Sequence, residues 1–179
     1  MTTAARALVG EAEFLALPES NQRIELVDGE VIVAPSPSLW HQELLTRIVL
    51  ALRGWNATAG QVATVVQAPL DVRFAPGRIL QPDAMVFLRA LSDSIATPLD
   101  VVPDVCIEVL SSNRAHDRVT KRYLYAEAGV REYWMVDPTG VVERRSGAGL
   151  AEVELLEGQL QSQLLQGFSL DLSQLFARP

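Results

Sequence analysis

Residues 102–110 read Val-Pro-Asp-Val-Cys-Ile-Glu-Val-Leu, and this stretch sets the interpretation of the whole chain. Its side chains are nearly all apolar on both faces of the strand, a pattern typical of a central strand that is covered on both faces of its sheet. Glu108 is the exception. A carboxylate in such a strand is costly to bury unless it is paired, protonated or bound to a cation. The stretch therefore predicts a positive partner beside Glu108.

A second acidic residue stands at the entry of another apolar segment. Asp83 follows Pro82 and precedes Ala84-Met85-Val86-Phe87. If the two segments form neighbouring strands, they lie about 4.8 Å apart. Both carboxylates can then hold one hard cation, with oxygens ~2.0 to 2.1 Å from a magnesium ion. A shared divalent cation explains Asp83 and Glu108 together.

Lys121 is the only lysine in the chain, whereas the other 14 basic residues are arginines. Arginine is a planar fork that stays charged, but lysine is a compact ammonium whose pKa can be tuned. A lysine kept in an arginine-rich chain indicates a site that needs a point charge or a proton donor. The alternative is an ordinary surface ion pair with Asp117, four residues earlier, worth roughly 0.3 to 0.5 kcal/mol.

The segments around these residues predict an α/β (α+β) fold with a mixed central β-sheet flanked by helices. Asp28-Gly29 is a hairpin turn signal, and Ser38 is an N-cap for a helix that ends near Gly60. Predicted helices cover residues 11–17, 38–60, 115–128 and 172–176, with Gly129 closing the third. Predicted strands cover residues 23–27, 30–33, 61–66, 69–74, 82–88, 102–110, 131–136, 141–144, 151–156 and 160–164.

Composition narrows the class of protein. The chain has 179 residues, 49% of them hydrophobic, which predicts one folded domain over residues 1–179 and excludes wholesale disorder. A single cysteine and two histidines exclude an internal disulfide and a zinc site built from N and S ligands. Because no apolar run approaches the roughly 18 to 20 residues of a membrane helix, we expect a cytoplasmic protein with no membrane partner.

Charge bears on the partner. The net charge of −7 argues against sequence-independent coating of nucleic acid, which relies on many lysines and arginines. Residues 114–131 are nonetheless basic, with five basic against two acidic side chains. A solvated face of an amphipathic helix would explain this segment equally well.

Several motifs together resemble the Uma-type family of predicted restriction endonucleases, which belongs to the PD-(D/E)XK nuclease superfamily. The resemblance is strongest over residues 10–145, while residues 146–179 are predicted to add a C-terminal β meander and a short helix. The matching residues are Glu25 to Glu30, Pro35-Ser36-Pro37, His41, Pro82-Asp83, Glu108 to Ser111, Asp117 with Lys121, Tyr125-Ala126, Gly129-Val130, Glu132-Tyr133-Trp134 and Val136-Asp137-Pro138.

The resemblance implies a restriction-endonuclease-like core, a bound Mg²⁺ ion, for which Mn²⁺ could substitute, and hydrolysis of phosphodiester bonds in nucleic acid, with DNA as the expected substrate. Asp83 and Glu108 would bind the metal, the backbone carbonyl of Val109 would add a ligand, and Lys121 would orient or activate the attacking water. The usual superfamily lysine lies two residues after the acid, where this chain has Leu110. The resemblance implies that the lysine has moved onto the following helix as Lys121, an arrangement for which the family is known.

The roles of three further residues stay open at the level of sequence. Glu25 completes the metal sphere, or positions a water, or faces outward from its hairpin. His41 matches a family position but is also explained as a capping or core-packing histidine. Tyr125 either orients Lys121 or packs in the core.

Two functions from different classes are compatible with these residues. The first is a Mg²⁺-dependent endonuclease, which as a duplex-cutting enzyme with one site per chain would normally act as a homodimer. The second is a non-catalytic binding or assembly module that keeps the nuclease fold. The intact set of Asp83, Glu108 and Lys121 favours the first.

Overall fold

The computed structural model describes residues 8–18, 22–111 and 116–178, and the side chains of residues 116–118 are outside this description. The described chain forms a six-stranded sheet, a four-stranded sheet and a two-stranded ribbon, with helices packed against them. The strands are β1 (Ile24–Val27), β2 (Glu30–Val33), β3 (Thr64–Gln67), β4 (Val72–Ala75), β5 (Arg78–Leu80), β6 (Ala84–Phe87), β7 (Val105–Val109), β8 (Glu132–Asp137), β9 (Val141–Ser146), β10 (Glu152–Leu156), β11 (Gln159–Gln161) and β12 (Ser169–Asp171). The helices are α1 (Glu11–Leu15), α2 (Leu39–Thr58), α3 (Arg122–Ala128) and α4 (Leu172–Leu175).

The large sheet has the strand order β10-β9-β8-β7-β6-β3. Only β7 and β8 run parallel within it, and the connection between them carries α3. All residues of β6, β7 and β8 are buried, because α2 covers one face of these strands and α3 covers the other. The predicted mixed central sheet flanked by helices is confirmed.

The four-stranded sheet, with order β2-β1-β5-β4, is built on the hairpin predicted at Asp28-Gly29. Both turn residues have positive φ, 49° and 89°, as a tight two-residue hairpin turn requires. The chain leaves this sheet at Leu80 and enters the large sheet at Ala84. Residues 81–83 therefore join the two sheets, and Asp83 lies at the junction.

The second helix begins as its sequence predicts. The hydroxyl of Ser38 accepts a hydrogen bond from the backbone N–H of His41 at 3.1 Å, which satisfies one of the unpaired donors of the first turn. Leu44, Ile48 and Leu52 follow at helical spacing and are fully buried against the large sheet.

The helix predicted over residues 115–128 differs in form. Residues 116–121 make a wide turn of π-helix, and regular α-helix begins only at Arg122. Such wide turns contain an extra residue and redirect the side chains that follow them. Gly129 ends α3 with φ 88°, the left-handed conformation predicted for it. The predicted first residue of the helix, Ala115, lies outside the described residues.

The C-terminal part departs from the predicted meander. β9 and β10 extend the large sheet, but β11 pairs with β12 in a separate ribbon and ends at Gln161. Leu160, Leu165 and Phe168 from this region are buried against the α2 face of the large sheet. The separate ribbon forms because its apolar side chains cover that face of the large sheet. Residue alternation in the sequence does not reveal this requirement. Within the part of the chain that the structure describes, no helix combines the length and apolarity needed to cross a bilayer.

Candidate active site

The two acids of the apolar strands lie side by side on one face of the large sheet. β6 and β7 are antiparallel neighbours, and Ala84 is paired with Ile107. Asp83 and Glu108 each stand one residue beyond this pair. In β7, Val105, Ile107 and Val109 contact the α2 side, so Glu108 points to the opposite side, toward α3. The predicted adjacency of the two strands is confirmed.

Asp83 is 2% exposed, and both of its oxygens have partners. Oδ2 accepts a hydrogen bond from the backbone N–H of Val109 at 2.8 Å and lies 3.5 Å from Nε2 of His41, while Oδ1 contacts Arg23. Burial by itself would raise the pKa of Asp83. The contact with His41 and the positive charge of Arg23 outweigh burial and hold this pKa well below its usual range.

Glu108 is held by two groups from the polypeptide between β7 and β8. Its Oε1 lies 2.9 Å from Nζ of Lys121 and accepts a hydrogen bond from the hydroxyl of Tyr125 at 2.7 Å. Tyr125 is fully buried, and its ring packs between Phe74 and Tyr133. Tyr125 therefore positions Glu108 as well as packing in the core.

Lys121 is 3% exposed and does not lie on the surface as the ion-pair alternative requires. Its ammonium bridges Glu108 Oε1 and Glu25 Oε1, at 2.9 and 3.0 Å. The side chain of Asp117, the proposed surface partner, lies outside the described residues. The π-turn ends at Lys121, so the unusual backbone lies directly before the residue that enters the site.

Glu25 faces inward, and its outward-facing alternative is wrong. It is 2% exposed, and its Oε1 accepts a hydrogen bond from the backbone N–H of Gln81 at 3.0 Å besides its contact with Lys121. Glu25 thereby links the four-stranded sheet to the junction that carries Asp83.

Arg23 is the residue that sequence reasoning missed. Its guanidinium contacts Asp83 Oδ1 and the carbonyl of Gln81, and it lies 3.5 Å from both Glu25 Oε1 and Glu108 Oε2. Burial would lower its pKa, but the surrounding carboxylates, Glu108 first, raise it. A signal was present in the sequence, because residues two apart on a strand share a face. An inward Glu25 therefore implies an inward Arg23.

These groups form the floor of a cleft of about 720 Å³. One wall is the segment of residues 32–37, which comprises the end of β2 and the chain that follows it, and another is the first turn of α2, where His41 lies. His41 is 7% exposed and lines the cleft beside Asp83, so it is more than a core-packing residue. Val109 also lines the cleft.

The donor set fits a magnesium ion. Across residues 8–18, 22–111 and 116–178, with side chains 116–118 left aside, no group of three or more His, Cys, Asp and Glu residues is arranged to hold a metal. Mg²⁺ needs fewer protein ligands, usually one or two carboxylates, with water and substrate phosphate completing its shell. Asp83 and Glu108 offer two carboxylates that already converge on one cationic group, the guanidinium of Arg23.

Comparison with known proteins agrees with this architecture. The structure superimposes on a crystal structure described as "a putative nuclease belonging to DUF820" from Anabaena variabilis ATCC 29413, with a TM-score of 0.78. The two chains are 24% identical, and the match covers 94% of this chain and 97% of the other, so they share a fold. None of the curated proteins matches the chain. The family model described as "Putative restriction endonuclease" matches residues 11–173, and the chain belongs to this family, Uma2, as its motifs predict.

Proposed function

We propose that this protein is a Mg²⁺-dependent endonuclease that hydrolyses phosphodiester bonds of DNA. The observation that carries the proposal is the convergence of Asp83, Glu108 and Lys121, from three separate segments, on the floor of an open cleft. Buried carboxylates beside a buried ammonium are costly to assemble. Their position at a cleft in a nuclease-family fold therefore supports a catalytic role for these residues.

Asp83 and Glu108 would be the metal ligands, with the backbone carbonyl of Val109 as a third. When bound, Mg²⁺ lowers the pKa of a coordinated water and offsets negative charge on the phosphate. Mn²⁺ accepts the same hard oxygen ligands and would substitute for it. Two fixed contacts orient the ligand carboxylates: the Val109 N–H on Asp83 and the Tyr125 hydroxyl on Glu108.

Lys121 would orient the attacking water and stabilise the negative charge that develops as the phosphate is attacked. Glu25 and Glu108 hold its ammonium from two sides, at 3.0 and 2.9 Å, so the ammonium is fixed before substrate arrives. Glu25 is thus proposed as a positioning residue for Lys121. Because each chain carries one such site, a homodimer would be the normal arrangement for cleavage of both strands of a duplex.

A plasmid-nicking assay tests the proposal. The wild-type protein should nick supercoiled DNA with Mg²⁺ or Mn²⁺, and EDTA should abolish the reaction. Glu108→Gln should lower the rate at least about a hundredfold, because it removes a ligand charge at the reacting centre. Glu152→Gln is the matched control, because Glu152 is exposed on β10. This variant should nick DNA at the wild-type rate.

The same assay decides between the two classes of function. Equal inactivity of wild type and Glu108→Gln on duplex DNA, single-stranded DNA and RNA, together with no metal binding, would refute the enzyme and favour a non-catalytic module. Cleavage of RNA alone would keep the hydrolytic mechanism and correct the substrate. Activity that survives in Glu108→Gln would refute the assigned site.

A further inference from the structure

One guanidinium touches all three acids of the site. Arg23 contacts Asp83 Oδ1 and lies 3.5 Å from both Glu108 Oε2 and Glu25 Oε1. No other arginine lines the cleft among the described residues. Arg23 is thus a monovalent cation at the point where the carboxylates of two strands converge.

The carboxylate oxygens are divided between two sets of partners. Asp83 Oδ2 accepts from the Val109 N–H, and Glu108 Oε1 accepts from Tyr125 and contacts Lys121. The other oxygens, Asp83 Oδ1 and Glu108 Oε2, are those that contact Arg23. A divalent ion bound between the two carboxylates needs one oxygen from each. The guanidinium lies beside one oxygen of each carboxylate, as a divalent ion shared by the two would.

The fit of Arg23 in this position is incomplete. Its contacts with Glu108 and Glu25 are longer than the about 2.7 to 2.9 Å of a well-formed charged hydrogen bond. Its Nε is buried and has no hydrogen-bond partner within the described residues. An unsatisfied buried donor is destabilising. The side chain is also 23% exposed toward the cleft, which provides a route outward.

We propose, building on the metal site proposed above, that Arg23 occupies the divalent-cation position in the metal-free protein and is displaced into the cleft when Mg²⁺ binds. Exchange replaces a monovalent cation with a divalent one among the three carboxylates of Asp83, Glu108 and Glu25. It also releases a planar guanidinium, a good phosphate ligand, at the mouth of the site.

Metal binding tests the exchange without any measurement of activity. Mn²⁺ is titrated into the folded full-length protein and followed by electron paramagnetic resonance. Arg23→Met should bind Mn²⁺ at least about tenfold more tightly than wild type does, because the variant lacks the competing cation. Arg73→Met is the matched control: Arg73 is also 23% exposed, lies in β4 of the four-stranded sheet and is paired with Glu11 and Asp100. It should bind like wild type.

Lys121→Met separates exchange from a simple change of charge. It also removes one positive charge from the site, but Lys121 contacts Glu108 at Oε1, whereas Arg23 lies nearest to Oε2. A smaller gain in affinity than that of Arg23→Met supports exchange. An equal gain refutes it, as does a loss of affinity in Arg23→Met, which would make Arg23 a clamp that organises the ligands.

A second measurement uses the wild-type protein, so it does not depend on the folding of a variant. Phenylglyoxal modification of arginines, read by mass spectrometry, should increase at Arg23 when Mn²⁺ is added and stay constant at Arg73. An unchanged or lower reactivity at Arg23 in the metal-bound protein overturns the exchange. If wild type and Arg23→Met both fail to bind Mn²⁺, the metal site itself is wrong. Binding that depends on Glu108 but not on Arg23 refutes the exchange alone.

Discussion

Replacement of Lys121 by methionine should destabilise the metal-free protein by about 3 kcal/mol. The Lys121 ammonium contacts two buried carboxylates, at 2.9 and 3.0 Å, and all three side chains are at most 3% exposed. At an effective dielectric constant of ~20, each contact contributes roughly 5 to 6 kcal/mol of attraction before desolvation is counted. Removing one partner of a buried pair usually costs about 3 to 5 kcal/mol, because an uncompensated charge remains. The lower end applies here because the cleft admits water.

Urea unfolding followed by tryptophan fluorescence measures this loss, with the fully buried Trp134 of β8 as a reporter. Arg131→Met provides the control. Arg131 also contacts one carboxylate, that of Asp104 at 3.1 Å, but its side chain is 53% exposed, so the expected loss is below about 1 kcal/mol. A loss in Lys121→Met no larger than that in Arg131→Met would refute the buried bridge. It would return Lys121 to the class of ordinary surface ion pairs.

Two further predictions concern the groups that hold the metal-ligand carboxylates. Tyr125→Phe should lower the free energy of unfolding by about 1.5 to 3 kcal/mol, because it removes a hydrogen bond to charged Glu108 while keeping the ring. The control, Tyr123→Phe, loses an exposed hydrogen bond to Glu127 and should lower the free energy of unfolding far less in the same urea assay. Equal losses in the two variants would contradict the role assigned to Tyr125. Because the folded-state pKa of Asp83 is lowered, the stability that its ionised form contributes is present above the unfolded pKa of about 3.9 and disappears as pH falls through the folded value. The difference in unfolding free energy between wild type and Asp83→Asn should therefore shrink on acidification below about pH 4, and a constant difference would show that charge is not responsible.

Short sequence signals such as turn and capping residues predict much of the fold. The turn at Asp28-Gly29, the cap at Ser38 and the end of α3 at Gly129 each depend on a few adjacent residues, and each forms where it is predicted. Strand β5, Arg78–Leu80, was missed because three residues show no period. It is defined by pairing with β1, where Ile79 lies opposite Leu26, and that contact joins residues far apart in the chain.

The site residues likewise divide into those that the sequence identifies and one that it does not. Asp83 and Glu108 were identifiable because an acid within an apolar strand demands compensation, and Lys121 because its residue type is unique in the chain. Arg23 has neither feature, since it is one of 14 arginines and directly precedes the ordinary hairpin strand β1. Its spacing from Glu25 indicates only that the two residues share a face. What that face contacts depends on where the four-stranded sheet meets the large one, a tertiary relation that no local pattern encodes.

That relation also explains how the site is held together. Glu25 belongs to the four-stranded sheet, Glu108 to the large sheet and Lys121 to the turn that follows β7, while Asp83 lies at the junction of the two sheets. A slip of one residue in the pairing of β6 with β7 would turn one acid to the opposite face of the sheet. The pairing of Ala84 with Ile107 opposes such a slip, because the slip would turn a carboxylate into the apolar α2 side of the sheet. The core that fixes the fold is therefore the same structure that brings the charged groups of the cleft together.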